Sequence, residues 1–256
     1  VKQLLAKDVV DAKVRSRIET AMSETQKRYY IEKQIEALSA ELGEDNLDQE
    51  NLQLEKQIND AKMPDEVHKK AMYELKKLKR IPPSTSEYGN IRTYIDHLIA
   101  LPWNKASEVS YDLVAARQVL DDDHYSLDKV KSRIIEYLAV QKRNPGSKAP
   151  ILCLVGSPGI GKSSIVHSVA LATNREYQRI ALGGVNSESD IRGFLRTYIG
   201  AQCGKISTAM IKSGVNNPVI LLDEIDKMGA SAQHGDPAAA LLEVLDPAQN
   251  NAFVDK

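Results

Sequence analysis

Gly156-Ser157-Pro158-Gly159-Ile160-Gly161-Lys162-Ser163 is the stretch that decides the fold of this chain. It fits the pattern G-x-x-x-x-G-K-[ST] at every fixed position. An apolar run at 151–155 precedes it, and a segment of helical periodicity at 164–173 follows it. In the order strand, glycine-rich loop, helix, backbone N–H groups and a helix N-terminus surround phosphate oxygens. The stretch therefore predicts a binding site for a nucleoside triphosphate.

Two side chains of this loop have the chemistry that a triphosphate and its metal ion require. Lys162 would place its ammonium group on the β- and γ-phosphates, and the hydroxyl of Ser163 would ligate Mg²⁺. A glycine-rich turn could match such a pattern by chance. The apolar run before the loop and the helical segment after it make that interpretation the weaker one.

A second acidic signal lies further along the chain. The apolar run at 219–222 leads directly into Asp223 and Glu224. In P-loop enzymes the first acid holds the Mg²⁺ shell, and the second orients or deprotonates the attacking water. Ligands of open α/β sheets bind at the carboxyl ends of the strands, where these acids would lie. The pair predicts hydrolysis of the nucleotide, with Glu224 as the catalytic residue.

Composition places the chain among globular proteins. It has 256 residues, 42% of them hydrophobic and 27% charged, and its net charge is −1. A net charge near zero gives no overall attraction to nucleic acid or to an anionic membrane. Cys153 and Cys203 lack metal-ligand spacing, which indicates two unpaired thiols in a reducing compartment. Because no apolar run is long enough to span a bilayer, no membrane partner is expected.

The first part of the chain has helical patterns throughout. Residues 1–43 predict one long amphipathic helix that ends at Gly43, and residues 44–121 predict a small helical bundle. Within this bundle, 44–49 has the composition of an acidic turn and 49–61 that of a helix. Strands alternate with helices later in the chain, so 122–256 predicts an α/β domain with a parallel sheet. The expected fold class is mixed: an all-α region followed by an α/β P-loop domain.

Other polar clusters are weaker candidates. Asp121, Asp122, Asp123 and His124 resemble a metal cluster, but four adjacent residues cannot all face one ion. We interpret them as N-capping and solvated residues. A lysine-rich helix ending near Arg80 could suggest a nucleic-acid-binding scaffold, but acidic residues are interleaved with its lysines.

Taken together, several segments closely resemble the Lon family of ATP-dependent proteases, whose motor is an AAA+ ATPase. The resemblance extends over essentially the whole chain. The segments that carry it are the glycine-rich loop, Ala181–Val185, Arg196–Gly200, Leu222–Met228, Gly235–Pro237, Ala240–Pro247, Asp123–Tyr125 and Glu136–Gln141.

The resemblance implies a homohexameric ring that hydrolyses ATP with Mg²⁺, unfolds protein substrates and threads them into a Ser-Lys serine protease chamber. It implies that Tyr198 and Ile199 form the pore-loop pair that grips unfolded or misfolded substrate. His124 and Tyr125 lie where the adenine pocket of the family begins. The helix at 1–43 would be a coiled-coil arm, and 44–121 the end of a substrate-engaging domain. Association of this region with DNA is left open.

Departures from the family pattern are also present. Ser157 stands where proline is usual, and Phe194-Leu195 replaces a His-Arg pair. The chain is expected to be a fragment that stops before the protease domain, is inactive as a protease and has little activity alone. A bacterial cytoplasmic location is expected, with the mitochondrial matrix as the alternative. An AAA+ remodelling ATPase without a protease is the rival function.

Overall fold

The computed structural model describes Tyr29 and residues 44–144, 150–196, 200–229 and 235–255. The chain divides into two compact units, Val1–Glu55 and Lys56–Lys256. The arm predicted for residues 1–43 lies outside the described residues, except for Tyr29, which is helical and exposed. The arm therefore stays a prediction.

Helices dominate residues 44–144, where they are α1 (Glu44–Asp60), α2 (Asp65–Leu78), α3 (Ser86–Ala100), α4 (Leu113–Asp123) and α5 (Asp128–Arg143). The acidic turn predicted at 44–49 is wrong, because α1, the helix predicted to start at residue 49, already begins at Glu44. Acidic residues interact favourably with the N-terminal end of a helix dipole, so they belong to its first turns. The described residues include no helix with the length and apolarity needed to cross a membrane.

The second part of the chain alternates helices and strands. It contains α6 (Lys162–Ala172), β1 (Tyr177–Ala181), α7 (Glu188–Arg192), α8 (Lys205–Ser213), β2 (Val219–Asp223) and α9 (Pro237–Leu245), with short 3₁₀ turns at Ile225–Lys227 and Asn250–Ala252. β1 and β2 are parallel, with Tyr177 opposite Val219 and Ala181 opposite Asp223. The predicted fold class, a helical region followed by an α/β domain, is confirmed.

Two apolar cores hold these elements together. One lies where the sheet meets α7, α8 and α9, and its buried residues include Ile180, Ile191 and Leu241. The other joins α4, α5 and α6 and is built from Ala116, Leu120, Ile134, Leu138 and Ile165. Helix α6 belongs to the second core and also packs against β2. The helix that follows the glycine-rich loop is thus held by α4 on one side and by the sheet on the other.

The strand predicted at 151–155 is not formed. β1 pairs only with β2 in the described sheet, and 151–155 lies outside that ladder. Val155 is 90% exposed, although Leu154 packs against the second core. The apolar pattern is local, whereas a strand also needs a neighbour that accepts its backbone hydrogen bonds.

The segment between α3 and α4 is tied to the α/β part by hydrogen bonds. Ser107 and Asn217 exchange two of them: the Ser107 amide donates to the Asn217 side chain at 2.8 Å, and the Asn217 side chain donates to the Ser107 carbonyl at 2.9 Å. The Asn216 side chain also donates to the Trp103 carbonyl, at 3.2 Å. The helices from residue 56 onward and the α/β part therefore form one compact unit.

Candidate functional site

The glycine-rich loop has the backbone geometry that its sequence predicts. Gly159 and Gly161 have φ values of 80° and 89°, in the left-handed region that side-chain-bearing residues avoid. Gly161 is the N-cap of α6, so the loop leads directly into the positive end of a helix dipole. A Cβ atom on Gly156 would overlap the Ile160 side chain, so the loop closes tightly at its start. These features leave the first backbone N–H groups of α6 available for an anion.

Lys162 folds back over this loop. Its Nζ donates to the carbonyl oxygens of Gly156 and Ser157, both at 2.8 Å. The ammonium group is therefore held against the start of the loop by two of its backbone carbonyl groups. Neighbouring Ser163 lies in the first turn of the same helix and is partly buried. A cation and a hydroxyl in this position fit a phosphate group with its bound metal ion.

The sheet directs Asp223 toward α6. Successive side chains of a strand point to opposite faces, and Ile180 and Leu222 lie in the core formed with α7, α8 and α9. Asp223 lies opposite Ala181 and therefore shares the other face with Tyr177. The ring of Tyr177 meets the ring of His167 on α6 edge to face, with 5.2 Å between centroids. Asp223 thus faces the helix that carries Lys162 and Ser163.

Asp223 is held by an arginine from the neighbouring strand. Arg179 contacts the Oδ2 atom of Asp223 with two nitrogen atoms, Nε at 2.8 Å and one terminal nitrogen at 2.7 Å. Both contacts use the same carboxylate oxygen, so this arginine does not occupy Oδ1. Hydrogen-bonded partners of this kind orient carboxylates that ligate metals.

Glu224 has an unusual backbone conformation for a residue with a side chain. Its φ is 57°, which turns the chain sharply at the end of β2. Its carboxylate pairs with Lys227 in the 3₁₀ turn that follows. A Cβ atom on Gly183 would overlap Glu224 Oε2, so the acid lies against the turn that follows β1. Strained residues of this kind are found at active sites, where the strain fixes the direction of a side chain.

The resemblance associates His124 and Tyr125 with a base pocket, and the structure gives these neighbours different environments. The His124 ring is buried, and its Nε2 lies 3.0 Å from Ser168 Oγ on α6. Its Nδ1 lies 4.0 Å from the position of a Cβ on Gly161, so the ring is adjacent to the glycine-rich loop. Tyr125 is 100% exposed. Only Tyr125 could offer a free ring face to a ligand in this conformation.

The acidic run before His124 does not cap a helix N-terminus, so the N-capping interpretation is wrong, but its three aspartates are exposed to solvent as expected. Asp121, Asp122 and Asp123 form the last turn of α4, where carboxylates are unfavourable unless they are paired. Asp121 accepts from Lys131 and from Arg117, which lowers the pKa of its carboxyl group. Asp123 accepts from Ser168 at 2.6 Å. No group of acidic, histidine and cysteine side chains within the described residues could hold a metal ion by itself.

Three residues of this region were missed by the sequence argument: Arg179, Ser168 and Lys131. Each contacts a partner that is distant in sequence or lies on the next element, and such contacts cannot be inferred from local sequence patterns. The strand position of Arg179 was the one available signal, because it places this arginine on the same sheet as Asp223. The predicted pore-loop residues Tyr198 and Ile199 lie outside the described residues.

The glycine-rich loop at the start of α6 and the acids at the end of β2 together define a P-loop nucleotide-binding domain of the α/β class. Residues 152–254 match the family described as "ATPase family associated with various cellular activities (AAA)".

The chain is also similar to several curated proteins named Lon protease. It is 52% identical over 247 residues to that of Escherichia coli (strain K12), which covers 96% of this chain and 31% of the relative. It is 52% identical over 248 residues to that of Rhizobium meliloti (strain 1021), covering 96% and 30%, and 50% identical over 248 residues to that of Brucella abortus biovar 1 (strain 9-941), covering 96% and 30%. The chain belongs to the Lon protease family, and it spans about 31% of the length of the relatives it matches.

Proposed function

We propose that this chain is the ATPase motor portion of an ATP-dependent Ser-Lys protease that unfolds and translocates protein substrates. The observation that carries the proposal is the position of Lys162, whose ammonium group is held by two carbonyl oxygens of a glycine-rich loop that opens into a helix. Asp223 faces the same helix from the adjacent strand. The family membership supports the protease as the larger assembly to which this motor belongs.

In this proposal each site residue has a defined role. The loop from Gly156 to Ser163 binds the phosphates through its backbone N–H groups, and Lys162 contacts the β- and γ-phosphates. Ser163 and Asp223 would hold Mg²⁺, which neutralises charge on the phosphate oxygens when it is bound. Glu224 orients the attacking water and accepts its proton. To do so, its carboxylate releases Lys227 and binds the water instead.

The partners follow from the family. We infer a homohexameric ring in which Tyr198 and Ile199 grip unfolded protein substrates. The proposed arrangement along the chain is an arm at 1–43, a bundle at 44–121 and the AAA+ part at 122–256. The bacterial relatives favour the cytoplasm of a bacterium, with the mitochondrial matrix as the alternative. Association with DNA stays a prediction.

Nucleotide binding tests the proposal directly. We expect this chain to bind an ATP analogue with Mg²⁺, and Lys162→Ala to weaken that binding at least about a hundredfold, because it removes the cation that meets the phosphates. Isothermal titration calorimetry measures both affinities. Lys129→Ala, at an exposed position on α5, is the matched control for loss of a lysine charge. Equal affinity of the wild type and Lys162→Ala would contradict the proposed phosphate site.

The magnesium site has a separate test in Arg179. Lys in its place keeps the positive charge but cannot contact one carboxylate oxygen with two nitrogen atoms. We expect Arg179→Lys to raise the Mg²⁺ concentration for half-maximal nucleotide binding about tenfold. Nucleotide affinity in EDTA should be unchanged. An unchanged Mg²⁺ requirement, relative to the exposed control Arg133→Lys, would show that this arginine does not orient Asp223.

A further inference from the structure

The chain between α7 and α8 forms a loop whose two ends meet at a narrow neck. One arm of the neck is Gly193 with Phe194, and the other arm is residues 202–204. The Phe194 amide donates to the Gln202 carbonyl at 3.1 Å, which closes the loop with a backbone hydrogen bond. A Cβ atom on Gly193 would lie 2.8 Å from the Gly204 nitrogen, so only glycine permits this approach of the two arms. Both glycines are buried, whereas Phe194 is exposed.

The carboxylate of Asp255 lies against this neck. Its two oxygen atoms accept the Gly204 amide, each at 3.1 Å. A Cβ atom on Gly193 would lie 2.6 Å from Asp255 Oδ1, so the carboxylate is also next to the first arm. Burial raises the pKa of this carboxyl group, whereas hydrogen bonds from Ser207 and from the Gly204 amide favour its charged form. Gly204 is the N-cap of α8, where a negative charge is favourable.

Residues 253–255, here called the strap, are fastened to α7 and to α9. The Phe253 side chain packs against the core of the sheet. The guanidinium carbon of Arg192, the last residue of α7, lies 5.3 Å from the centroid of the Phe253 ring. Arg192 also pairs with Glu243 on α9, and the 3₁₀ turn before the strap packs against the same helix. The strap therefore reaches the neck in a direction that two helices fix.

From this geometry we propose that Asp255 is a positioning residue for the loop between α7 and α8. It holds the two arms of the neck together and joins them to α9 through the strap. Functional loops depend on the rigid elements at their ends for their position. The inference rests on the proposed function, in which Tyr198 and Ile199 of this loop grip protein substrates. It adds the residue that sets the direction in which the loop leaves the α/β part.

Hydrogen exchange of backbone amides, followed by NMR, tests this role. Asp255→Ala removes the acceptor of the Gly204 amide. We expect the Gly204 and Phe194 amides to exchange about tenfold faster, within the range for loss of one helix cap. The Phe194 amide is the decisive readout, because it lies on the other arm and donates to Gln202 rather than to Asp255. A residue that only caps α8 would affect the first turn of that helix and leave Phe194 unchanged.

Two matched variants separate positioning from a general loss of stability. Asp112→Ala removes the side chain that caps α4, where it accepts the amides of Val114 and Ala115. It should speed exchange at the start of α4 and leave the neck unchanged. Asp255→Asn keeps an oxygen atom that accepts the Gly204 amide, and its exchange rates should stay within about threefold of the wild type, since asparagine and aspartate cap helices about equally well.

A further variant keeps the test decisive if Asp255→Ala does not fold, as judged by circular dichroism. Ser207→Ala then replaces it, because it removes one hydrogen bond to the Asp255 carboxylate and weakens the hold on that group. We expect exchange about threefold faster at Gly204 and Phe194, in line with the loss of one hydrogen bond. Unchanged exchange at Phe194 would count against the positioning role here as well.

The outcomes are distinct. Faster exchange on both arms, with Asp255→Asn close to the wild type, supports the positioning role. A change confined to α8, no change, uniformly faster exchange throughout the chain, or a Phe194 amide that is unprotected in the wild type overturns it. The measurement needs neither nucleotide nor substrate. If Lys162→Ala leaves nucleotide binding unchanged, the proposed function fails, while the exchange result still decides what Asp255 does at the neck.

Discussion

Arg196 links the α/β part of the chain to the helices that precede it. One of its terminal nitrogens lies 2.9 Å from Glu74 Oε1 on α2. The Glu74 side chain is 7% exposed, while that of Arg196 is 55% exposed. The guanidinium carbon also lies 5.2 Å from the ring centroid of Tyr94 on α3. We predict that removing this arginine destabilises the unit formed by residues 56–256.

The expected size of the effect follows from the burial of the two partners. Removing one partner of a fully buried ion pair costs about 3–5 kcal/mol, whereas an exposed pair contributes about 0–1 kcal/mol. Here the carboxylate is buried, but the guanidinium is more than half exposed. Lys77 is a second nearby cation, whose pKa is raised mainly by its hydrogen bond to Glu87 and to a smaller extent by Glu74. We therefore expect Arg196→Ala to lower the free energy of unfolding by about 2 kcal/mol, including about 0.5–1 kcal/mol for the ring contact.

A double-mutant cycle isolates the pair. Urea denaturation of the wild type, Arg196→Ala, Glu74→Gln and the double variant should give a coupling energy of about 1 kcal/mol. Arg133→Ala is the control, because Arg133 and its partner Glu136 are both largely exposed and should couple by less than about 0.5 kcal/mol. A coupling energy below about 0.3 kcal/mol for Arg196 and Glu74 would refute the reasoning. Stability changes from substitutions at distant, independent sites already deviate from additivity by about that amount.

Two other predictions concern glycine and cysteine positions. A Cβ on Gly204 would overlap the backbone carbonyl of Ile191, so Gly204→Ala should cost about 3 kcal/mol of unfolding free energy, whereas Gly214→Ala, at φ 65° with open space around it, should cost about 1–2 kcal/mol. Equal costs in urea denaturation would show that the crowding at Gly204 is relieved by movement of the chain. Burial raises the pKa of the Cys203 thiol to about 11. Only about 0.1% of the thiol is therefore thiolate at pH 8, and its alkylation rate should rise about tenfold per pH unit until the pH reaches the pKa. Iodoacetamide at pH 8 should therefore label exposed Cys153 and spare Cys203, as read by peptide mass spectrometry; equal labelling would contradict the burial of Cys203.

Prediction from the sequence was most successful where the signal is local. The periodicity after Ser163 predicts α6, and the apolar run before Asp223 predicts β2; the structure has both within two residues of the expected bounds. It was least successful where a partner is required. The apolar run at 151–155 predicts a strand, but strand formation depends on a neighbouring strand at the right distance, which a local pattern cannot supply.

The sequence by itself determined the glycine-rich loop, the acids at the end of β2 and the alternation of helices and strands. These depend on residue type and spacing within a few positions, because glycine conformations and helix periodicity are local properties. Only the tertiary structure decided which side chains support the site. Arg179 meets Asp223 because of the register of two strands, and Lys131 meets His124 because α5 turns back along α4. Such contacts arise from packing between elements, so no single stretch of sequence specifies them.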